Sequence, residues 1–148
     1  MQKKLLLLLF CFVFFAGFSP LWPQAPENDE LLSFVGLKLD DLIMRFGIPQ
    51  NVYAVRGDEV WQDDVVFSYR EGDFYIYRDR VWQIGLKSAM GIKTGDSKEL
   101  GLLILGDKTQ DEGDFLLYPL PAEGWPLSLR INLTAGKISA IFVYRPDF

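Results

Sequence analysis

Apolar residues recur along this chain with two periods, and the switch from one to the other happens twice. In GLKLDDLIMRFGIPQ, Leu39, Leu42, Ile43 and Phe46 fall at i, i+3, i+4 and i+7, the spacing of one helix face. Asp40 and Asp41 in the first turn and Arg45 near the end suit the helix dipole. Gly47 can supply the terminating residue, and Pro49 prevents the helix from resuming. In GDSKELGLLILGD, Gly95 and Gly106 stand as far apart as Gly36 and Gly47. Asp96 or Ser97 can cap a second helix there, and Leu100, Leu103 and Ile104 keep helical spacing.

After each helical segment the period falls to two. DFYIYR sets Phe74 and Ile76 against Tyr75 and Tyr77, and LSLRINL sets Leu127, Leu129, Ile131 and Leu133 against Ser128, Arg130 and Asn132. VVFSYR, RVWQIGL, DFLLYPL and KISAIFVY also read as strands, with turns at Gly72, Asp79, PAEGW and TAG. The expectation is an α+β fold of two tandem helix-plus-antiparallel-sheet units, residues 34–90 and 91–148, about three strands each. Helices would cover one sheet face and leave the other open.

The N-terminus changes the setting. Lys3 and Lys4 precede an apolar run from Leu5 to Gly17, followed by Ser, Pro and acidic residues, the layout of an export signal. The run is shorter than the roughly 20 residues a spanning helix needs, so residues 1–19 are expected to be a cleaved signal peptide. Residues 20–33, rich in proline and acids, read as a linker. The chain is therefore expected to be periplasmic or secreted, with membrane contact only through the N-terminal segment if uncleaved. Cys11 lies inside the apolar run, not after it, which argues against lipidation.

Composition narrows the chemistry. The chain has no histidine, one cysteine and a net charge of −5, and loss of the signal lysines makes the remainder more acidic still. That balance argues against nucleic-acid binding. Triads built on histidine or cysteine, and the common zinc sets, are excluded. Asp40-Asp41 and Asp63-Asp64 could contribute to a carboxylate pair, although a helix start and a strand opening account for them. Asp107, Asp111, Glu112 and Asp114 in GDKTQDEGD could offer oxygens to calcium, but the spacing is that of a solvated turn and not of an EF-hand. GIKTGDSK lacks the ending of a phosphate loop, and the Asn132 sequon lies within a strand. No cofactor and no enzymatic activity are expected.

The pattern Gly36, Leu42, Phe46, Gly47 and Pro49, then Trp61 and Tyr69, then Arg80-Val81 and Ile84, resembles the SmpA/OmlA (BamE-like) domain of outer-membrane assembly lipoproteins. Gly95, Ser97, Gly106, Tyr118, Lys137-Ile138 and Ile141 repeat it, and two such units in tandem resemble the β-lactamase inhibitory protein (BLIP-like) fold. Lys38 stands where that family carries a Ser or Thr cap. The resemblance implies an envelope protein that works by binding another protein. Tyr75, Tyr77, Arg130, Asn132 and Trp82 are the expected binding residues, because Tyr, Trp and Arg carry most energy at interfaces. The alternative is a periplasmic small-ligand or lipid carrier with a cavity lined by Trp82, Phe142 and leucines.

Overall fold

In the computed structural model, residues 28–56, 64–121 and 124–147 are described. The segment expected as a signal, Trp61 and Asp63 lie outside that set. Strands dominate the described residues: β1 (Asn51–Val55), β2 (Asp64–Ser68), β3 (Asp73–Tyr77), β4 (Arg80–Leu86), β7 (Gln110–Asp111), β8 (Phe115–Leu120), β9 (Leu127–Thr134) and β10 (Lys137–Tyr144) form one antiparallel sheet. Their spatial order is β1-β2-β3-β4-β10-β9-β8-β7. A separate two-stranded ladder joins β5 (Ser88–Ala89) to β6 (Ile92–Lys93). The helices among the described residues are short: α1 (Asn28–Leu32), α2 (Leu39–Phe46) and α3 (Lys98–Leu105).

This corrects the expected fold class. The protein is mainly antiparallel β, not an α+β pair of helix-plus-sheet units. The reason is the seam between β4 and β10, where Leu86, Gly85, Ile84 and Gln83 pair with Ile141, Phe142, Val143 and Tyr144. That ladder fuses the strands of both halves into one sheet about 34 Å across, taking about 4.8 Å per strand spacing. Each eight-residue helix is only about 12 Å long and cannot form a layer over such a width.

The glycine-bounded helices are nonetheless anchored alike. The Gly36 N–H donates to Val81 O at 2.7 Å and the Gly95 N–H to Ile138 O at 2.8 Å. In return the Val81 N–H donates to Leu37 O at 2.9 Å and the Ile138 N–H to Asp96 O at 2.8 Å. Gly36 and Gly95 both sit at φ +94°, in the left-handed region where a side chain is disfavoured. The acceptor strands follow tight turns with positive φ at Arg78 and Asp79 and at Ala135 and Gly136, as two-residue hairpins require.

The core lies on the helix side of the sheet. Phe74 and Ile76 of β3, Val81, Ile84 and Leu86 of β4, Leu129 and Ile131 of β9, and Ile138, Ile141 and Val143 of β10 are buried there with Leu42 and Leu105. Part of the segment expected as a linker belongs to this core, since α1 carries Leu31 into it and Phe34 and Val35 follow.

Candidate functional site

Alternation puts every other side chain of β3 and β9 on the sheet face away from the helices, and cross-strand register fixes which ones align. One row runs Tyr53, Val66, Tyr75, Gln83, Tyr144 and Ser128. The next runs Asn51, Ser68, Asp73, Gly85, Phe142, Arg130 and Leu117. Tyr77 and Asn132 stand on the same face, two positions from Tyr75 and Arg130.

Trp82 reaches this face through a defect. The register shifts so that Gln83 opposes Tyr75 while Val81 opposes Ile76, leaving Trp82 as the extra residue of a bulge. Its indole Nε1 donates to the Asp64 carboxylate at 3.0 Å, reaching from β4 to β2. The five residues singled out from the sequence thus share one face, although they do not form one cluster.

Two sub-patches result. Around β3, Tyr75 meets Phe142 edge-on at 6.0 Å between ring centroids, and Val66 in the same row is fully buried. The Phe142 ring lies beside Gly85, where a Cβ would meet it at 3.5 Å, an ordinary van der Waals contact. Burial, with smaller contributions from Tyr53, Asp73 and Asp64, pushes the Tyr75 phenol up to about 12. A raised value means that the folded chain holds the proton more tightly. This contribution is fully present below the ordinary value of 10.0 and is lost as pH rises through about 12. Tyr75 is therefore half packing residue, half contact residue.

The second sub-patch surrounds β9. The Arg130 guanidinium lies 4.2 Å from the Phe115 ring centroid and its Nε donates to Asn132 Oδ1 at 3.0 Å. Leu117 is its cross-strand neighbour. Arg130 is thus pre-oriented on an aromatic face while remaining exposed, a form in which arginine meets carboxylates or aromatic rings.

An open groove of about 480 Å³ occupies the end of the face, with Ser68, Asp73, Tyr75, Gly85, Lys87 and Phe142 among its walls. Trp82 is not among its lining residues, and the groove is open, which differs from the closed cavity lined by Trp82, Phe142 and leucines that a ligand carrier would use. The acids of the 106–114 turn do not gather either: among the described residues no three acidic, histidine or cysteine side chains could hold one metal ion. Asp111 instead pairs with Lys98 Nζ at 2.8 Å. Asp64, offered as part of a carboxylate pair, is engaged by the Trp82 indole.

Sequence reasoning missed Tyr53, because NVYAV was not read as a strand. It also missed the role of Phe142 beside Gly85, for which the signal was a glycine inside the strand RVWQIGL.

No protein-family model matches the chain. No curated protein matches it. Among solved structures, an extracellular protein containing an SCP domain from Bacillus anthracis is similar, with a TM-score of 0.49 and 10% identity. The match covers 82% of this chain and 47% of that one. No described helix is long and apolar enough to cross a membrane.

Proposed function

We propose that this chain is an exported, non-enzymatic binding module of the cell envelope, and that it engages a protein partner through the sheet face opposite the helices. The observation that carries this reading is the shared face of Tyr53, Tyr75, Tyr77, Trp82, Phe142, Tyr144 and Arg130. No described helix packs there, and side chains of this kind supply the anchors of interfaces. The Lys3-Lys4 and Leu5–Gly17 pattern supports export, and the resemblance to the SmpA/OmlA domain supports an envelope setting. The net charge of −5 favours a partner with a basic patch and speeds encounter more than it deepens affinity.

The test places a photo-crosslinking amino acid at Tyr77, at Arg130 or at Met44, which is exposed on α2. Discrete higher-mass adducts in envelope extract are expected at Tyr77 and Arg130 and not at Met44. Adducts confined to Met44 would move the working surface to the helix side. Tyr77→Ser combined with Arg130→Ala should weaken capture at least about tenfold while the thermal midpoint moves by only a few degrees.

A further inference from the structure

The two outer edges of the eight-stranded sheet are built differently. At one end β7 has two residues, Gln110 and Asp111, and Glu112, Gly113 and Asp114 follow at once. A very short, acidic edge discourages further strand pairing. At the other end β1 runs five residues, Asn51–Val55, all exposed and none charged, with no proline and a regular register against β2. Among the described residues none of the usual protections of an edge is present.

Large apolar side chains left in solvent gather at that edge. Val52 is 53% exposed, Tyr53 42%, Val55 37% and Val65 44%, and Ile48, just before β1, is 92% exposed. Such a cluster, beside a strand whose outer edge no described residue pairs, has the character of an interaction surface.

We infer that β1 pairs with β1 of a second copy of this chain, antiparallel about Tyr53, so that the sheets of two copies become continuous. This goes beyond the binding reading above and does not depend on it. The chain's own strand is the occupant whose side-chain pattern fits. Centred on Tyr53, the pairing sets Val52 opposite the second copy's Ala54 and Tyr53 opposite the second copy's Tyr53. On the helix side it joins Phe74, Phe67 and Val52 to the second copy's Ala54, Val65 and Ile76, an unbroken apolar row across the junction. On the other face it joins Tyr75, Val66 and Tyr53 to their own counterparts. No pair on β1 sets like charges opposite each other, which matters for a chain of net charge −5. The two-fold operator uses the same strand on both copies, so the assembly closes as a dimer and cannot grow into a fibre through this edge.

The test is disulfide capture in the full-length chain, exported by a bacterial host and carrying Cys11→Ser to remove its one cysteine. Directly opposed residues bring Cβ atoms about 4.5–5.5 Å apart, near disulfide reach, so Tyr53→Cys should give a linked dimer on oxidation. Gln110→Cys at the other edge should give at least about tenfold less, and adding Val52→Lys to Tyr53→Cys should lower the dimer yield by about tenfold. As a check independent of cysteine, sedimentation equilibrium of the full-length chain in mild detergent should report a dimer, and the Val52→Lys chain a monomer. A monomer in sedimentation, equal crosslinking at Gln110→Cys, or adducts of Tyr53→Cys with a different polypeptide would each overturn the proposal.

Discussion

Helices α2 and α3 hang from the sheet by matching hydrogen bonds, yet they meet it in opposite ways. In α2, Leu42 projects into the core, fully buried, and Phe34, Phe46, Tyr69 and Phe74 form a cluster of ring contacts between 5.2 and 6.5 Å beside it. In α3 the corresponding position is Gly101, and a Cβ there would already touch Ile138 Cδ1 at 3.5 Å and Leu116 Cδ1 at 3.6 Å. One helix stands off and fills the gap with side chains. The other brings its backbone close at Gly101 and buries Leu105 at its end. The same anchoring thus fixes where a helix starts, while the residue facing the sheet sets its height.

The largest expected effect tests the standing-off helix. Leu42→Ala should cost about 2–5 kcal/mol and lower the thermal midpoint by roughly 8–20 °C, because a buried leucine leaves a cavity that the aromatic cluster cannot refill. A shift below a few degrees would mean that α2 settles onto the sheet as α3 does.

Gly101 supplies the reciprocal experiment. Gly101→Leu should cost roughly 1–3 kcal/mol through overpacking against Ile138 and Leu116. Gly101→Ala should instead gain up to about 1 kcal/mol, since the added methyl would meet both neighbours at ordinary van der Waals distance and alanine favours the helix. Chemical denaturation of the two variants decides it, and a loss with alanine would mean that the gap is tighter still.

The helix starts differ too. Ser97 caps α3, its hydroxyl accepting from the Leu100 N–H at 3.2 Å, whereas Lys38 at the start of α2 offers no side-chain cap although its backbone is extended in the same way. Ser97→Ala should lose roughly 0.5–2 kcal/mol and Lys38→Ser should gain about 0.5–1 kcal/mol. Equal responses in the two melting curves would show that capping does not separate the helices.

The smallest effect concerns the ion pair that ties α3 to the sheet edge, between Lys98 and Asp111 of β7; the ion pair of α2, Arg45 with Glu30, runs to α1 instead. The hydrogen bond from Lys98, and then that from the Gly113 N–H, hold the Asp111 carboxyl below its usual 3.8. A lowered value means that the contribution is present above pH 3.8 and is lost as pH falls through the lower folded value. Asp111→Asn should therefore flatten the fall in denaturation midpoint below about pH 4, slightly, because the carboxylate is exposed to solvent. An unchanged acid limb would remove this pair from the comparison.

What could be read from the sequence follows from which forces leave a local pattern. Helix α2 and the faces of β3 and β9 were legible because burial on one side imposes a period on Leu39 to Phe46, on Phe74 to Tyr77 and on Leu127 to Leu133, whereas α3 was placed by its flanking glycines and its face was misread, since Leu100, Leu103 and Ile104 are exposed and Gly101 and Leu105 are buried. β1 was not legible, since all five of its residues are exposed and burial imposes no alternation on them. The bulge that turns Trp82 outward leaves no trace either, and α1 is hidden among prolines and acids. The fold class failed for a different reason: pairing of Leu86 with Ile141 joins residues far apart in the chain, and no local pattern encodes it. Of the candidate site, the face was legible and its division into a packed Tyr75 and an exposed Arg130 was not.

The seam between β4 and β10 also sets an order in time. β1 to β4 and β7 to β10 are each joined in sequence to their neighbours, so their ladders close short loops, whereas the seam must wait for both. We expect it to form after the rate-limiting step of folding and to open first. Ile141→Val, at the seam and buried, should therefore speed unfolding in stopped-flow measurements and leave the folding rate nearly unchanged. Slower folding in that variant would place the seam in the nucleus instead. On the expected order, the lifetime of the native chain is governed by one central ladder, while its edges govern only what it meets.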